Sequence, residues 1–158
     1  MKSHSYAKGT VVSIGRTREE IEHTLERFGA THQLWMRDDE QNAVTLGFRR
    51  ERTNYRFLVH LPSLEQFSTT PTSKQTRAQT TMEQMQQAEN RRLFRSLANY
   101  IKAMLDAIDS GIITAEEALL PYQILPGGQT IFERAQLQLR SGDNIDLLPA
   151  LGAGRTDP

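Results

Sequence analysis

Hydrophobic and polar positions divide the chain into three stretches. Residues 6–62 mix the two elementary periods of secondary structure. TVVSI, residues 10–14, is a β-branched run that predicts a short strand. In the following TREEIEHTLERFGA, Ile21, Leu25 and Phe28 recur at helical spacing. Thr17 and Glu20 stand as a capping box, and Gly29 sits where a left-handed helix stop is wanted. A helix is therefore predicted from Thr17 to Gly29. THQLWMR, NAVTLGFRR and NYRFLVHLP read as three short strands, with turns at DDEQN (38–42) and ERTN (51–54) and Pro62 as the stop.

Alternation assigns the strand faces. Leu34, Met36, Val44, Leu46, Phe48, Tyr55, Phe57, Val59 and Leu61 form a continuous apolar face for the Thr17–Gly29 helix to cover. Trp35, Arg37, Thr45, Gly47, Arg49, Arg56, Leu58 and His60 form the other face.

Residues 63–80 are polar and rich in Ser, Thr and Gln, which predicts a linker or a surface-hugging arm, because such a segment buries too little to offset its ordering entropy. Residues 81–150 read as helical. Thr80 and Glu83 suggest a start near Thr81, and Gly111 a stop after Ser110, for a helix of roughly 45 Å. Leu93, Leu97, Ile101, Met104, Leu105 and Ile108 are its apolar stripe; Arg92, Arg95, Asn99 and Lys102 form a polar, largely basic one. TAEE (114–117) opens a short helix that Pro121 ends, Pro126-Gly127-Gly128 turns the chain, and Thr130 with Glu133 caps a last helix to about Arg140. The tail, 151–158, is expected to fray. The fold class expected is α+β: a small antiparallel sheet with a covering helix, then a polar linker and a helical C-terminal part, in a single domain of 158 residues.

Composition narrows the chemistry. Lys plus Arg equals Asp plus Glu at 19 each, so no global field steers the protein toward polyanions and any anion site must be local. Absence of cysteine excludes disulfides, thiolate metal sites and a cysteine nucleophile. MKSHSYAKGT has no apolar run of the signal-peptide kind, and no stretch is long and apolar enough to span a bilayer, so a cytoplasmic location and no membrane partner are expected. No cofactor is expected. His4, His23, His32 and His60 contain no ligand pair at helical spacing, and the carboxylates of DDE (38–40) lack further ligands, so no metal is expected.

The order of segments resembles a family of short uncharacterised proteins common in phages, prophages and other bacterial mobile elements. SIGRTREEIEHTLERFGA, GFRRERTNYRFLVHLP, IKAMLDAIDSGI and ILPGGQTIFE carry the likeness, over about residues 10–140. The chain departs from it in the Gln/Thr-rich linker and at Gly127-Gly128, where an Asp-Gly turn is commoner. The resemblance implies a mobile-element origin, hence the host cytoplasm if phage-encoded, and implies no activity or catalytic residues.

The candidate site is a basic hairpin. Arg49, Arg50, Arg52 and Arg56 cluster at one turn, and Arg49 and Arg56 share their predicted face with Trp35, Arg37 and His60. Guanidinium groups beside an aromatic suit single-stranded nucleic acid, by neutralising phosphates and stacking a base, or a small nucleotide. Arg16, with Gly15 at a strand-to-helix junction, is a weaker phosphate candidate. Charged edges also guard sheets against aggregation, and Glu51 interrupts the cluster. The sequence therefore points first to a non-enzymatic binding module for nucleic acid or a phosphate-bearing ligand. The alternative is a protein-interaction or assembly factor, including a host-defence inhibitor, that uses the long amphipathic helix to pair with a host protein or a second copy.

Overall fold

The computed structural model describes residues 12–70, 72 and 75–142. Its order is α1 (Ile14–Arg27), β1 (Ala30–Asp38), β2 (Ala43–Arg50), β3 (Thr53–His60), a 3₁₀ turn (Leu64–Phe67), α2 (Gln79–Asp109), α3 (Ala115–Leu119), a second 3₁₀ turn (Leu120–Tyr122) and α4 (Ile131–Ser141). The fold is α+β, with one antiparallel sheet in the order β1-β2-β3.

α1 starts one turn earlier than the capping-box spacing predicts. Ser13 accepts from the Arg16 N–H and is the true cap. Thr17 is an interior helical residue, buried, with Oγ1 donating to the Ser13 carbonyl at 3.2 Å. The strand expected at 10–14 is corrected accordingly: Ser13 and Ile14 belong to the helix start, and residues 10 and 11 lie outside the described residues. α2 begins at Gln79 without a side-chain cap, so Thr80–Glu83 is no capping box either. Glu83 instead accepts from Gln79 Nε2, one turn before it. The Thr130–Glu133 box is present in both directions, and a second box, Thr114–Glu117, opens α3. The predicted tail, 151–158, lies outside the described residues.

The polar stretch lies along the body of the protein. Arg77 Nη1 donates to the carbonyls of Phe67 and Thr69, and Gln86 Nε2 on α2 donates to the Pro62 carbonyl. These backbone acceptors hold a segment that has little apolar area of its own.

One core joins the two halves of the chain. Ile21 and Leu25 of α1, Leu46, Phe48 and Phe57 of the sheet, and Ala98, Ile101, Met104 and Leu105 of α2 are buried in one cluster with Leu119. The long helix therefore packs on the same sheet face as α1. Its apolar stripe is consumed there: Ile101, Met104 and Leu105 are buried, and Leu97 and Ile108 pack at the margin. Arg95 pairs with Glu20 and ties α2 to α1, while Arg92 pairs with Glu89 within α2. That leaves no continuous basic groove on the helix.

The β2–β3 hairpin closes through Glu51 and Arg52, between the paired Arg50 and Thr53. Glu51 has φ +56, where a two-residue turn of this kind favours glycine. Glu51→Gly is expected to stabilise the protein by about 1 kcal/mol, because the left-handed conformation costs a side-chain-bearing residue 1–2 kcal/mol and glycine gives back part of that as unfolded-state entropy. A thermal melt should rise by roughly 2–4 °C. A fall would mean that the exposed Arg50–Glu51 pair outweighs the backbone strain.

Candidate functional site

The register of the sheet decides which side chains meet. Val44 pairs with Val59, Leu46 with Phe57 and Phe48 with Tyr55, and these rows face the core, as alternation predicts. β1 has the opposite phase to the one predicted. Trp35 pairs with Leu46 and Arg37 with Val44, whereas Leu34 pairs with Gly47 and Met36 with Thr45. Residues directly opposite in an antiparallel pair project from the same face. Trp35 and Arg37 therefore share the core side, and Leu34 and Met36 lie on the open side. A register shift between Thr31 and Leu34, with His32 at φ +53, sets this phase.

The predicted basic-aromatic face is thereby taken apart. Trp35 packs on Phe94 of α2 at 5.7 Å between centroids, and Arg18 of α1 covers its ring at 4.6 Å. Its Nε1 donates to Glu22 at 2.7 Å. No ring face is left for a base. Arg37 binds Asp39 at 2.6 Å in the β1–β2 turn. Arg56 is on the open face, but its Nη2 donates to Glu133 of α4 at 2.5 Å. Its Nε is buried without an acceptor, so the guanidinium is not offered to solvent as a fork.

Arg50 caps α1: its Nε donates to the Phe28 carbonyl at 3.4 Å and its guanidinium lies 4.6 Å from the Phe28 ring centroid. Arg49 and His60 are both exposed on the open face, but at opposite ends. Arg49 faces Asn54, and His60 lies six residues farther along β3, about 20 Å away. Arg52 is exposed at the hairpin tip, and Arg16 is exposed in the first turn of α1. Neither adjoins a built anion site.

A cleft of about 650 Å³ does collect Arg27, Arg50 and Lys102. Asp106 and Asp109 line it too. The last turns of α1 and α2 adjoin it, and helix C-termini disfavour anions. Among the described residues, no group of three or more His, Asp or Glu side chains is placed to hold a metal ion, and no helix is long and apolar enough to cross a membrane. Near Phe57, the Tyr122 hydroxyl is pushed up in pKa, first by burial and then by its 2.6 Å hydrogen bond to Tyr100, and stays protonated through the neutral range.

Between its charged ends the open face presents apolar side chains. Its rows run Met36–Thr45–Leu58 and Leu34–Gly47–Arg56 across the three strands. Leu34, Met36 and Leu58 are 56%, 57% and 42% exposed, far above what a strand needs to pack. Gly47, flanked by Leu34 and Arg56, leaves a dip in the middle.

α4 stands beside this surface. Tyr122 packs on Phe57 from the core side at 4.4 Å, and Gln123 then bridges to Tyr55 at the outer edge of β3. The chain passes round that edge, and Glu133 reaches Arg56 on the other face. A cleft of about 560 Å³ lies between them, lined by Met36, Asp38, Thr45, Arg56, Leu58 and Glu133. α4 itself buries no residue, and its Phe132, Leu137 and Leu139 are all more than half exposed. Leu137 follows Glu133 by one turn and so shares its side of the helix. Among the described residues, the other large exposed apolar side chains, Tyr100, Ile112 and Leu120, lie elsewhere.

Sequence periodicity misassigns four residues of β1: Leu34 and Met36, expected on the core side, and Trp35 and Arg37, expected on the open side. Three consecutive apolar residues, Leu34-Trp35-Met36, carry no phase of their own. The available signal is size: the one tryptophan claims the core side, although Arg37, in step with it and largely exposed, argues the other way. Neither a family model nor a curated protein nor a solved structure matches this chain.

Proposed function

We propose that this protein is a protein-interaction or assembly factor whose docking surface is the open face of the sheet with the adjoining α4. The observation that carries this reading is the exposure of Leu34, Met36 and Leu58 on one sheet face beside a helix that buries none of its own apolar residues. Contiguous exposed apolar surface is costly in water and marks an interaction site. The surface departs from the sequence-based alternative in its location, since the stripe of α2 is already spent in the core. Polyanion binding is the less favoured reading, because three of the arginines it needs are engaged with Glu133, Asp39 and Phe28, and Trp35 is packed between Phe94 and Arg18. The resemblance to mobile-element proteins fits an accessory role of this kind, with a host protein or a second copy as the partner.

A photo-crosslinking amino acid at Met36 tests the reading. A discrete protein adduct, lost when Leu58→Lys is added and not formed from Glu19 on the outside of α1, is the expected result. Absence of any adduct would overturn it. So would salt-sensitive binding of labelled single-stranded DNA that disappears in Arg49→Glu/Arg52→Glu.

A further inference from the structure

We infer that the open face, read as an interaction surface, receives one amphipathic helix of a partner protein. The helix spans about 13 residues and lies along β2, with basic side chains toward Asp38 and acidic ones toward Arg49.

Shape points to a helix. Between Arg49 and the β1–β2 turn, the central strand presents small side chains to the open side: Ala43, Thr45 and Gly47 stand in one file. Leu34 and Met36 of β1 rise on one side of that file and Leu58 of β3 on the other. Arg56, held by Glu133, continues the second wall. The two walls belong to strands two spacings apart, about 10 Å, and a helix with its side chains is about 10–12 Å across. An added strand would need a sheet edge, because a face offers it no backbone partners. The sheet already takes helices on its other side, where α1 and α2 share the core with it. On the open side α4 stands beside β3, and its Leu137 is exposed on the side that carries Glu133.

Charge gives the helix its direction. The row Asp38–Ala43–His60 closes one end of the trough, and Glu40 lies in the turn beyond it. Arg49 and Asn54 close the other end, and Arg52 lies in the hairpin turn beyond them. Asp38, Glu40, Arg49 and Arg52 are exposed, and among the described residues none of the four forms an ion pair. The charges nearer the middle are already engaged, Arg37 with Asp39 and Arg56 with Glu133. The two ends are six residues apart, about 20 Å, which is the rise of about 13 helical residues. A segment with apolar residues at helical spacing, Lys or Arg at one end and Asp or Glu at the other, satisfies both ends at once. A nucleic-acid strand, negative throughout, would meet Asp38 and Glu40.

The probe is a fluorescein-labelled, stapled helical peptide of about 13 residues. It has leucines at i, i+3, i+4 and i+7, lysines in its first turn and glutamates in its last. A control peptide of the same composition and end charges has its leucines on alternate residues, which spreads them round the helix. Anisotropy titration of the full chain should show saturable binding of the first peptide. Binding should be at least tenfold weaker for the control and for Leu58→Lys. Asp38→Lys/Glu40→Lys and Arg49→Glu/Arg52→Glu should each weaken binding by about fivefold, in line with exposed ion pairs. All four changes together should restore it, because the peptide then binds end for end. Equal binding of the control peptide, or indifference to both charge reversals, would overturn the helix. So would a dimer of the unmodified chain in sedimentation that reverts to monomer in Leu34→Lys/Met36→Lys, since a second copy would then be the occupant. A Met36 photo-adduct whose linked partner segment lacks an apolar stripe at helical spacing would leave the docking surface standing and remove the helix. No adduct and no peptide binding would remove both.

Discussion

Trp35→Ala is expected to destabilise the protein by about 3–5 kcal/mol, the range for removing a large aromatic from a packed site. Three contacts are lost together: the Phe94 ring at 5.7 Å, the Arg18 guanidinium at 4.6 Å and the Nε1 hydrogen bond to Glu22 at 2.7 Å. The loss also leaves the Glu22 carboxylate and the Arg18 guanidinium without their shared partner. Trp35→Phe keeps most of the ring packing and should cost about half as much. Urea unfolding gives both values directly. Because Trp35 is the only tryptophan, its emission reports the same site. A red-shifted, freely quenched native spectrum and a Trp35→Ala loss below 1 kcal/mol would return Trp35 to the exposed face.

Ile101→Asp is expected to abolish the fold. Ile101 is fully buried and belongs to the cluster that joins α2 to α1 and the sheet. A carboxylate there has no partner within the core and must either unfold the site or take up a proton at large cost. Ile101→Ala, which keeps the site apolar, should cost about 2–5 kcal/mol through lost transfer energy and a residual cavity. Circular dichroism and a denaturant titration separate the two. A folded Ile101→Asp protein of near-native stability would mean that α2 does not close the core.

These two residues show where sequence legibility ends. Val44, Leu46 and Phe48, with Tyr55, Phe57 and Val59, alternate strictly, and alternation alone places them on one face. Ile21 and Leu25 are legible for the same reason at helical period. The capping box of Thr130 and Glu133 is legible because both partners lie within one turn. Thr17–Glu20 has the capping-box spacing in the sequence and hides Ser13, yet only Ser13 precedes the helix. The phase of β1 was not legible, since it depends on a bulge at Thr31–Leu34 and on what Phe94, some sixty residues on, places beneath Trp35.

The site suffers most from this limit. Arg56 looks free beside Arg49 in the sequence, but Glu133, 77 residues away, binds it. Arg50 looks like a third phosphate ligand, but the C-terminus of α1 claims it. An arginine cluster states which groups are near in sequence; the carboxylates and carbonyls that neutralise it are fixed only by the tertiary fold. Once those partners are in place, Leu34, Met36 and Leu58 remain exposed together on the open face, beside Arg49 and His60 at its two ends.

The rate of mild peroxide oxidation of Met36, followed by mass spectrometry with buried Met104 as the internal reference, tests the central claim most directly. At high dilution Met36 should oxidise readily while Met104 is protected. In an extract of the source cell, Met36 should slow severalfold as its partner covers it, and Leu34→Lys should cancel the slowing. Oxidation of Met36 at the same rate in dilute purified protein and in the extract would contradict the account.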